Sequence, residues 1–100
     1  MSDISVMDVY DRLKNDEQIV DVREADEVAA GMIPGAVHIP LGELPQRLGE
    51  LDRERPVIAV CRSGGRSAQA TLVLQGAGFA VDNMLGGMMK WLAAGMPIAK

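Results

Sequence analysis

The sequence predicts an α/β domain with a mainly parallel sheet. Short apolar runs typical of strands alternate along the chain with stretches typical of helices. One run, Val57-Ile58-Ala59-Val60, has no polar alternation, as expected for a central strand that is covered on both faces. With 100 residues, of which 48% are hydrophobic and 24% charged, the chain has the size and composition of a single domain over residues 1–100.

The first half of the chain predicts two helices and two strands. Ser5 is a suitable N-cap for the first helix, because its hydroxyl can accept from backbone amides of the first turn. A glycine suits the end of the second helix, since it readily adopts the left-handed conformation. In chain order the elements are a helix over residues 6–15, a strand Ile19–Val22, a helix Glu24–Ala30 followed by Gly31, and a strand Val37–Ile39.

The second half predicts three helices and two strands. Pro45 is tolerable only in the first turn of its helix, because proline has no backbone N–H. Trp91 and the methionines at 84, 88 and 89 are predicted to fill the core rather than to hold a cofactor. In chain order the elements are a helix Glu43–Leu51, a strand Val57–Val60, a helix Arg66–Ala77, a strand Val81–Leu85 and a helix Gly87–Ala94.

The segment Cys61-Arg62-Ser63-Gly64-Gly65-Arg66-Ser67 follows the most apolar strand and contains the only cysteine of the chain. Ligands of parallel sheets bind beyond the carboxyl ends of the strands, which is where this segment begins. Amides of a glycine-rich turn, the start of a helix and two arginines all favour the thiolate, which is the reactive form of cysteine. We therefore predict that Cys61 is an exposed nucleophile in an anion-binding loop. The alternative is a buried structural cysteine.

The two arginines of this loop are expected to do different things. Arg62 directly follows the nucleophile and is predicted to point toward solvent, where it can meet an incoming anion. Arg66 begins the helix and is predicted to fasten the loop through a carboxylate. Ser63 and Ser67 can hydrogen-bond within the loop or to the sulfur, and Ser67 can instead satisfy amides at the start of the helix.

Three further polar residues lie near predicted strand ends. Asp21 and Arg23 are expected to brace the loop, by pairing with each other, with Glu24 or with Arg66, rather than to touch the substrate. His38 is the only histidine of the chain, and strand alternation places it on the solvent side. We do not predict it to be the base of a cysteine–histidine pair.

The composition excludes several classes of function. A net charge of −4 argues against general nucleic-acid binding, which needs a basic face. No signal sequence and no apolar stretch of the roughly 20 residues needed to span a membrane is visible, so a cytoplasmic location is expected. One cysteine allows neither an internal disulfide nor a four-cysteine metal site. Dinucleotide and phosphate-loop motifs are absent from the sequence, and we predict no cofactor and no metal.

Several segments together resemble a rhodanese domain from about Ile19 to Ile98. The resemblance implies a five-stranded parallel sheet with helices on both faces. It also implies a sulfurtransferase in which Cys61 accepts a sulfane sulfur as a persulfide, held by the loop of residues 62–67. The partners would be a small anionic sulfur donor, thiosulfate or a persulfide, and a thiophilic acceptor such as cyanide, a thiol or a protein thiol. The matching segments are Asp21-Val22-Arg23-Glu24, Gly31-Met32-Ile33-Pro34-Gly35-Ala36, Ile39-Pro40, the loop itself, and Gly86-Gly87-Met88 with Trp91 and Ala94-Gly95-Met96-Pro97.

Two other functions stay open. In the related cysteine phosphatases and arsenate reductases, the loop between cysteine and arginine is one residue longer. The tighter loop between Cys61 and Arg66 favours a single sulfur atom over a tetrahedral oxyanion. A rhodanese-like module that only binds a partner is the other alternative. Met32 stands where many rhodanese domains have histidine, which puts the local surface and partner preference in question but not the nucleophile.

Overall fold

The computed structural model describes residues 2–15 and 17–100, which contain a five-stranded, entirely parallel sheet. The strand Val57–Val60 lies at the centre of the sheet. The predicted α/β fold class is confirmed. In chain order the strands are β1 (Asp3–Ile4), β2 (Gln18–Asp21), β3 (Val37–His38), β4 (Val57–Val60) and β5 (Val81–Met84), and their spatial order is β1-β5-β4-β2-β3.

The four α-helices are α1 (Val6–Arg12), α2 (Ala25–Ala29), α3 (Gly65–Gly76) and α4 (Gly87–Ala93). All four residues of β4 are buried, as its apolar sequence predicts. Successive side chains of a strand point to opposite faces, so the central strand contributes to two separate clusters of the core. Val57 and Ala59 pack with Ala70 and Leu74 of α3, whereas Ile58 and Val60 pack with Val9 of α1 and Trp91 of α4.

Two elements differ from the sequence prediction. The edge strand β1 is absent from the prediction, because two residues leave no periodic pattern. The α-helix predicted over Glu43–Leu51 is wrong, since the structure has two 3-10 segments, Leu41–Gln46 and Leu48–Glu50. Pro45 provides no N–H for an α-helical hydrogen bond, and nearby glycines disfavour a regular helix.

The start of α1 and the end of β4 follow the sequence closely. The Ser5 hydroxyl accepts a hydrogen bond from the Asp8 amide at 3.1 Å, which confirms the predicted N-cap. β4 ends at Val60, which lies opposite Asp21 of β2. The chain then turns through residues 61–64 before α3 begins at Gly65. Cys61 therefore lies directly beyond the carboxyl end of the central strand.

Candidate active site

The loop after β4 turns its backbone toward the sulfur of Cys61. The Gly64 amide donates a hydrogen bond to Sγ at 3.0 Å. Gly64 has a φ of +112°, a left-handed conformation that side chains disfavour. Gly65, the second glycine of the loop, has no positive φ and is simply the first residue of α3. One of the two glycines is thus required by the backbone.

Ser67 brings a hydroxyl to the sulfur from the first turn of α3. Its Oγ lies 3.3 Å from the Cys61 Sγ and 3.1 Å from the Gly64 carbonyl oxygen. The same hydroxyl contacts Oδ1 of Asn83 on β5. Ser67 and Asn83 are both buried. Asn83 was not among the predicted site residues, although an asparagine within a predicted strand was an available signal.

These contacts change the acidity of Cys61. Burial raises the pKa of the thiol, but hydrogen bonds from the Ser67 side chain and from the amides of Ser67, Gly64 and Ser63 outweigh it. The net result is a pKa below the ordinary value. The amide of Ser63 contributes even though its side chain is exposed. Hydrogen bonds of the loop, rather than a nearby base, therefore favour the thiolate.

The expectation that the thiol is exposed is wrong. Cys61 is 1% exposed and packs in the same core cluster as Val20 and Ala59. Its sulfur therefore contacts both the Gly64 amide of the loop and the apolar core. Groups around Cys61 must move before a substrate can reach it.

The two arginines of the loop differ as their positions suggested. Arg66 donates two hydrogen bonds to the Glu27 carboxylate on α2, at 2.6 and 2.7 Å. This pair lowers the pKa of Glu27 to about 2, chiefly through those hydrogen bonds. Arg62 is exposed and has no ion-pair partner among the residues that the structure describes. Glu27 is a residue that sequence reasoning missed, because it lies 39 positions from Arg66 and carries no local signal.

Asp21 and Arg23 pair with each other rather than with Arg66. The guanidinium holds the carboxylate in a two-pronged contact, with Nε to Oδ1 at 2.9 Å and Nη2 to Oδ2 at 2.8 Å. Asp21 is 1% and Arg23 5% exposed. Arg23 also donates to the carbonyl oxygens of Gly31 at 2.8 Å and Glu27 at 3.4 Å. The pair thus ties the end of β2 to α2 at Glu27, the residue that also holds Arg66 of the loop.

The start of α4 packs against the outside of the loop. The amides of Met88 and Met89 donate to the carbonyl oxygens of Cys61 at 2.8 Å and Arg62 at 3.0 Å. Gly87 makes this approach possible, because a Cβ there would lie 2.5 Å from backbone atoms of both loop residues. Gly87 lies in a segment that resembles the rhodanese domain, but it was not among the predicted site residues.

A cavity of about 340 Å³ opens beside the loop. Arg62 gives it an unpaired positive charge, while Met89 (55% exposed) and Leu92 (52% exposed) give it an apolar wall. Met89 was predicted to fill the core, and that prediction is wrong. Trp91, Met84 and Met88 are buried as predicted. The residues that line the cavity are Arg23, Glu27, Arg62, Met88, Met89 and Leu92.

His38 and Met32 lie apart from the cavity. Nε2 of His38 is 2.7 Å from the carbonyl oxygen of Arg23, and it carries the proton because a carbonyl only accepts. The histidine therefore contacts the backbone at the end of β2 and not the thiol. The backbone of Met32 forms an antiparallel bridge with Ala99, with hydrogen bonds of 2.9 and 2.8 Å.

Among residues 2–15 and 17–100, no cluster of three or more histidine, cysteine or acidic side chains is placed to hold a metal ion. None of the helices in this part of the chain is long and apolar enough to cross a bilayer.

The fold and loop define a class: a parallel α/β domain with a cysteine held by backbone amides at the end of the central strand. Residues 5–94 match the Rhodanese-like domain family, and the chain belongs to this family. It is 41% identical over 93 residues to YtwF of Bacillus subtilis, covering 91% of this chain and 90% of that protein. It is 38% identical over 101 residues to a sulfurtransferase of Allochromatium vinosum, covering 98% and 94%. A rhodanese-related protein of Thermoplasma volcanium superposes with a TM-score of 0.93 at 30% identity, covering 99% and 98%.

Proposed function

We propose that the protein is a sulfurtransferase that carries a sulfane sulfur on Cys61. The Cys61 thiolate attacks the outer sulfur of thiosulfate or of a related persulfide. A bond forms between the two sulfurs, and sulfite or a thiolate leaves with the electron pair of the broken bond. A thiophilic acceptor then attacks the outer sulfur of the Cys61 persulfide and regenerates the thiolate. With cyanide as acceptor the product is thiocyanate, and the charges balance in both steps.

The observation that carries this proposal is the contact of the Gly64 amide with Sγ at 3.0 Å. Donors aimed at a sulfur that alternates between thiolate and persulfide stabilise negative charge in both states. Sulfite and thiolates leave as stable anions, so the reaction needs no proton donor for its leaving group. The absence of a histidine contact to Cys61 is compatible with this chemistry, because His38 is bound to the backbone elsewhere.

The cavity provides the route by which we propose that the donor arrives. It is lined by Arg62, which follows Cys61 in the sequence, and by Met88, whose amide donates to the Cys61 carbonyl oxygen. The unpaired charge of Arg62 attracts an anionic donor. Since Cys61 is 1% exposed, the side chains at this mouth must move for the donor to reach Sγ. The residues of the proposed loop are Arg62, Ser63, Gly64, Gly65, Arg66 and Ser67, braced by Glu27 and, through it, by the Asp21–Arg23 pair.

The test is the intact mass of the protein after thiosulfate, and again after cyanide. We expect a gain of one sulfur atom that cyanide removes, and no gain in Cys61→Ser. A glutathione persulfide is the second donor to be tried. A wild-type mass that neither donor changes would contradict sulfur transfer.

The covered thiol favours one alternative, a rhodanese-like module that binds a partner and catalyses nothing. The same mass measurement separates the two functions, because a binding module takes up no sulfur. Release of phosphate from an aryl phosphate in the same preparation would instead favour a cysteine phosphatase.

A further inference from the structure

The buried hydroxyl of Ser67 has more acceptors than protons. A hydroxyl donates one hydrogen bond, yet three acceptors surround this one. They are the Cys61 Sγ at 3.3 Å, the Gly64 carbonyl oxygen at 3.1 Å and the Oδ1 of Asn83. Ser67 is 0% exposed, so bulk water does not relieve the competition. The proton can serve the sulfur only when it leaves the other two.

The orientation of the Asn83 amide is fixed from the opposite side. Its Nδ2 donates to the Asp3 carboxylate of β1 at 3.0 Å and lies 3.5 Å from the Gly64 carbonyl oxygen. Both of those oxygens only accept, so the NH₂ group must face them. The oxygen of the amide therefore faces Ser67. Rotating the amide by half a turn would bring two acceptors together at Asp3.

We propose that Asn83 is a positioning residue for Cys61, whose side-chain oxygen holds the Ser67 proton until the sulfur becomes charged. When Cys61 is a thiol, its S–H can donate to the Ser67 oxygen, which in turn donates to Asn83. When Cys61 is a thiolate, the Ser67 hydroxyl donates to the sulfur and no longer donates to the side-chain oxygen of Asn83. Once the sulfur is bonded to a second sulfur and has lost its charge, the hydroxyl returns to Asn83. This inference rests on Cys61 being the nucleophile of the proposed function.

The geometry predicts the direction in which substitutions of Asn83 and Ser67 change the acidity of Cys61. Asn83 competes with the thiolate for a proton, so removing its oxygen makes the thiolate easier to form. Removing the Ser67 hydroxyl does the opposite. Both substitutions leave the charges around Cys61 in place, but Asn83→Leu also removes the hydrogen bond to Asp3, an effect that would appear equally with and without the Ser67 hydroxyl. The charged groups are Arg62 and Arg66 of the loop, Glu27 of α2, Asp21 of β2, Arg23 just after it, and Asp3 behind Asn83.

The experiment is a cycle of four proteins: wild type, Asn83→Leu, Ser67→Ala and the double variant. Leucine has nearly the shape of asparagine without its polar atoms. The rate of alkylation by iodoacetamide is followed against pH, and its midpoint reports the thiol pKa without any sulfur donor. We expect the midpoint to fall by roughly half to one pH unit in Asn83→Leu. In this variant the Ser67 hydroxyl can turn to the thiolate without breaking a hydrogen bond to Asn83. In Ser67→Ala the midpoint rises.

The cycle distinguishes positioning from a general change in the site. In the Ser67→Ala background, Asn83→Leu should leave the midpoint unchanged, because its effect passes through the hydroxyl. An equal shift in both backgrounds, or no shift in either, overturns the proposal. Failure of the mass test for sulfur transfer leaves this result intact, since the two measurements share no substrate.

A measurement on the unmodified Asn83 covers the case in which leucine prevents folding. The side-chain amide resonances of Asn83 should change with pH at the same midpoint as alkylation of Cys61. In Ser67→Ala that change should disappear. Resonances that do not follow Cys61 in the wild-type protein refute the proposal independently.

Discussion

Replacing Glu27 by glutamine removes the charge that holds Arg66, and with it the direct link between α2 and the loop. The pKa of Glu27 falls from 4.5 to about 2, first through its hydrogen bonds with Arg66. At about 1.4 kcal/mol per pKa unit, this difference sets an upper limit of ~3.5 kcal/mol on the stabilisation. The side chains of Arg66 and Glu27 are 34% and 25% exposed, and solvent screens their attraction. We therefore expect the free energy of unfolding to fall by about 1 kcal/mol at neutral pH.

The lowered pKa of Glu27 determines how the stabilisation changes with pH. The folded-state pKa of Glu27 lies below the unfolded value, so the folded protein binds its proton less readily. The stabilisation is therefore complete above about pH 4.5 and disappears as the pH falls toward 2. Urea unfolding of the wild type and Glu27→Gln should show a difference that is constant near neutral pH and shrinks over that acid range.

A matched control is available on the surface of the same protein. Glu43 pairs with Arg47 at 3.1 Å, and its side chain is 59% exposed and outside the cavity lining. Glu43→Gln should cost less than Glu27→Gln, since exposed pairs contribute little. Equal losses in the two variants, or a Glu27→Gln loss that does not change with pH, would refute the reasoning.

Two further predictions concern α4. Gly87→Ala should lower the free energy of unfolding by at least about 2 kcal/mol, because the new Cβ would lie 2.5 Å from the loop backbone. The control Gly76→Ala, whose Cβ meets nothing within 4 Å, should be nearly neutral. Urea unfolding of both variants measures the difference. Leu92→Ser should lower kcat/KM about fivefold for a persulfide donor with an apolar body, since half a leucine surface contributes about 1 kcal/mol, and should leave thiosulfate turnover unchanged. Leu72→Ser, on the 63% exposed Leu72 of α3, should affect neither donor, and a loss with thiosulfate in Leu92→Ser would contradict the apolar wall.

The sequence predicted those parts of the molecule whose cause is local. The four apolar residues of β4 require burial on both faces, and the structure buries all of them. The Ser5 cap depends on an amide three residues away. The turn at Gly64 follows from a backbone conformation that only glycine adopts easily. In each case the residues that decide the structure are neighbours along the chain.

The parts that could not be predicted depend on pairs that are distant in sequence. Glu27 reaches Arg66 across 39 positions, and Asn83 reaches Asp3 across 80. The exposure of Cys61 depends in the same way on what covers it from other elements. The glycine and arginine composition of the loop predicted an open thiol, yet Cys61 is 1% exposed and packs with core residues of other elements.

The direction of the loop amides illustrates how a distant element sets the chemistry. A peptide unit is planar, and its C=O and N–H point in opposite directions. The carbonyl of Arg62 accepts from the Met89 amide of α4, so the amide of Ser63, in the same peptide unit, must point away from that helix. That amide is one of the groups that lower the pKa of Cys61. The first turn of α4 thus orients a donor that it does not contain. Gly87 permits this approach, so a residue outside the loop helps to orient a group that lowers the pKa of Cys61.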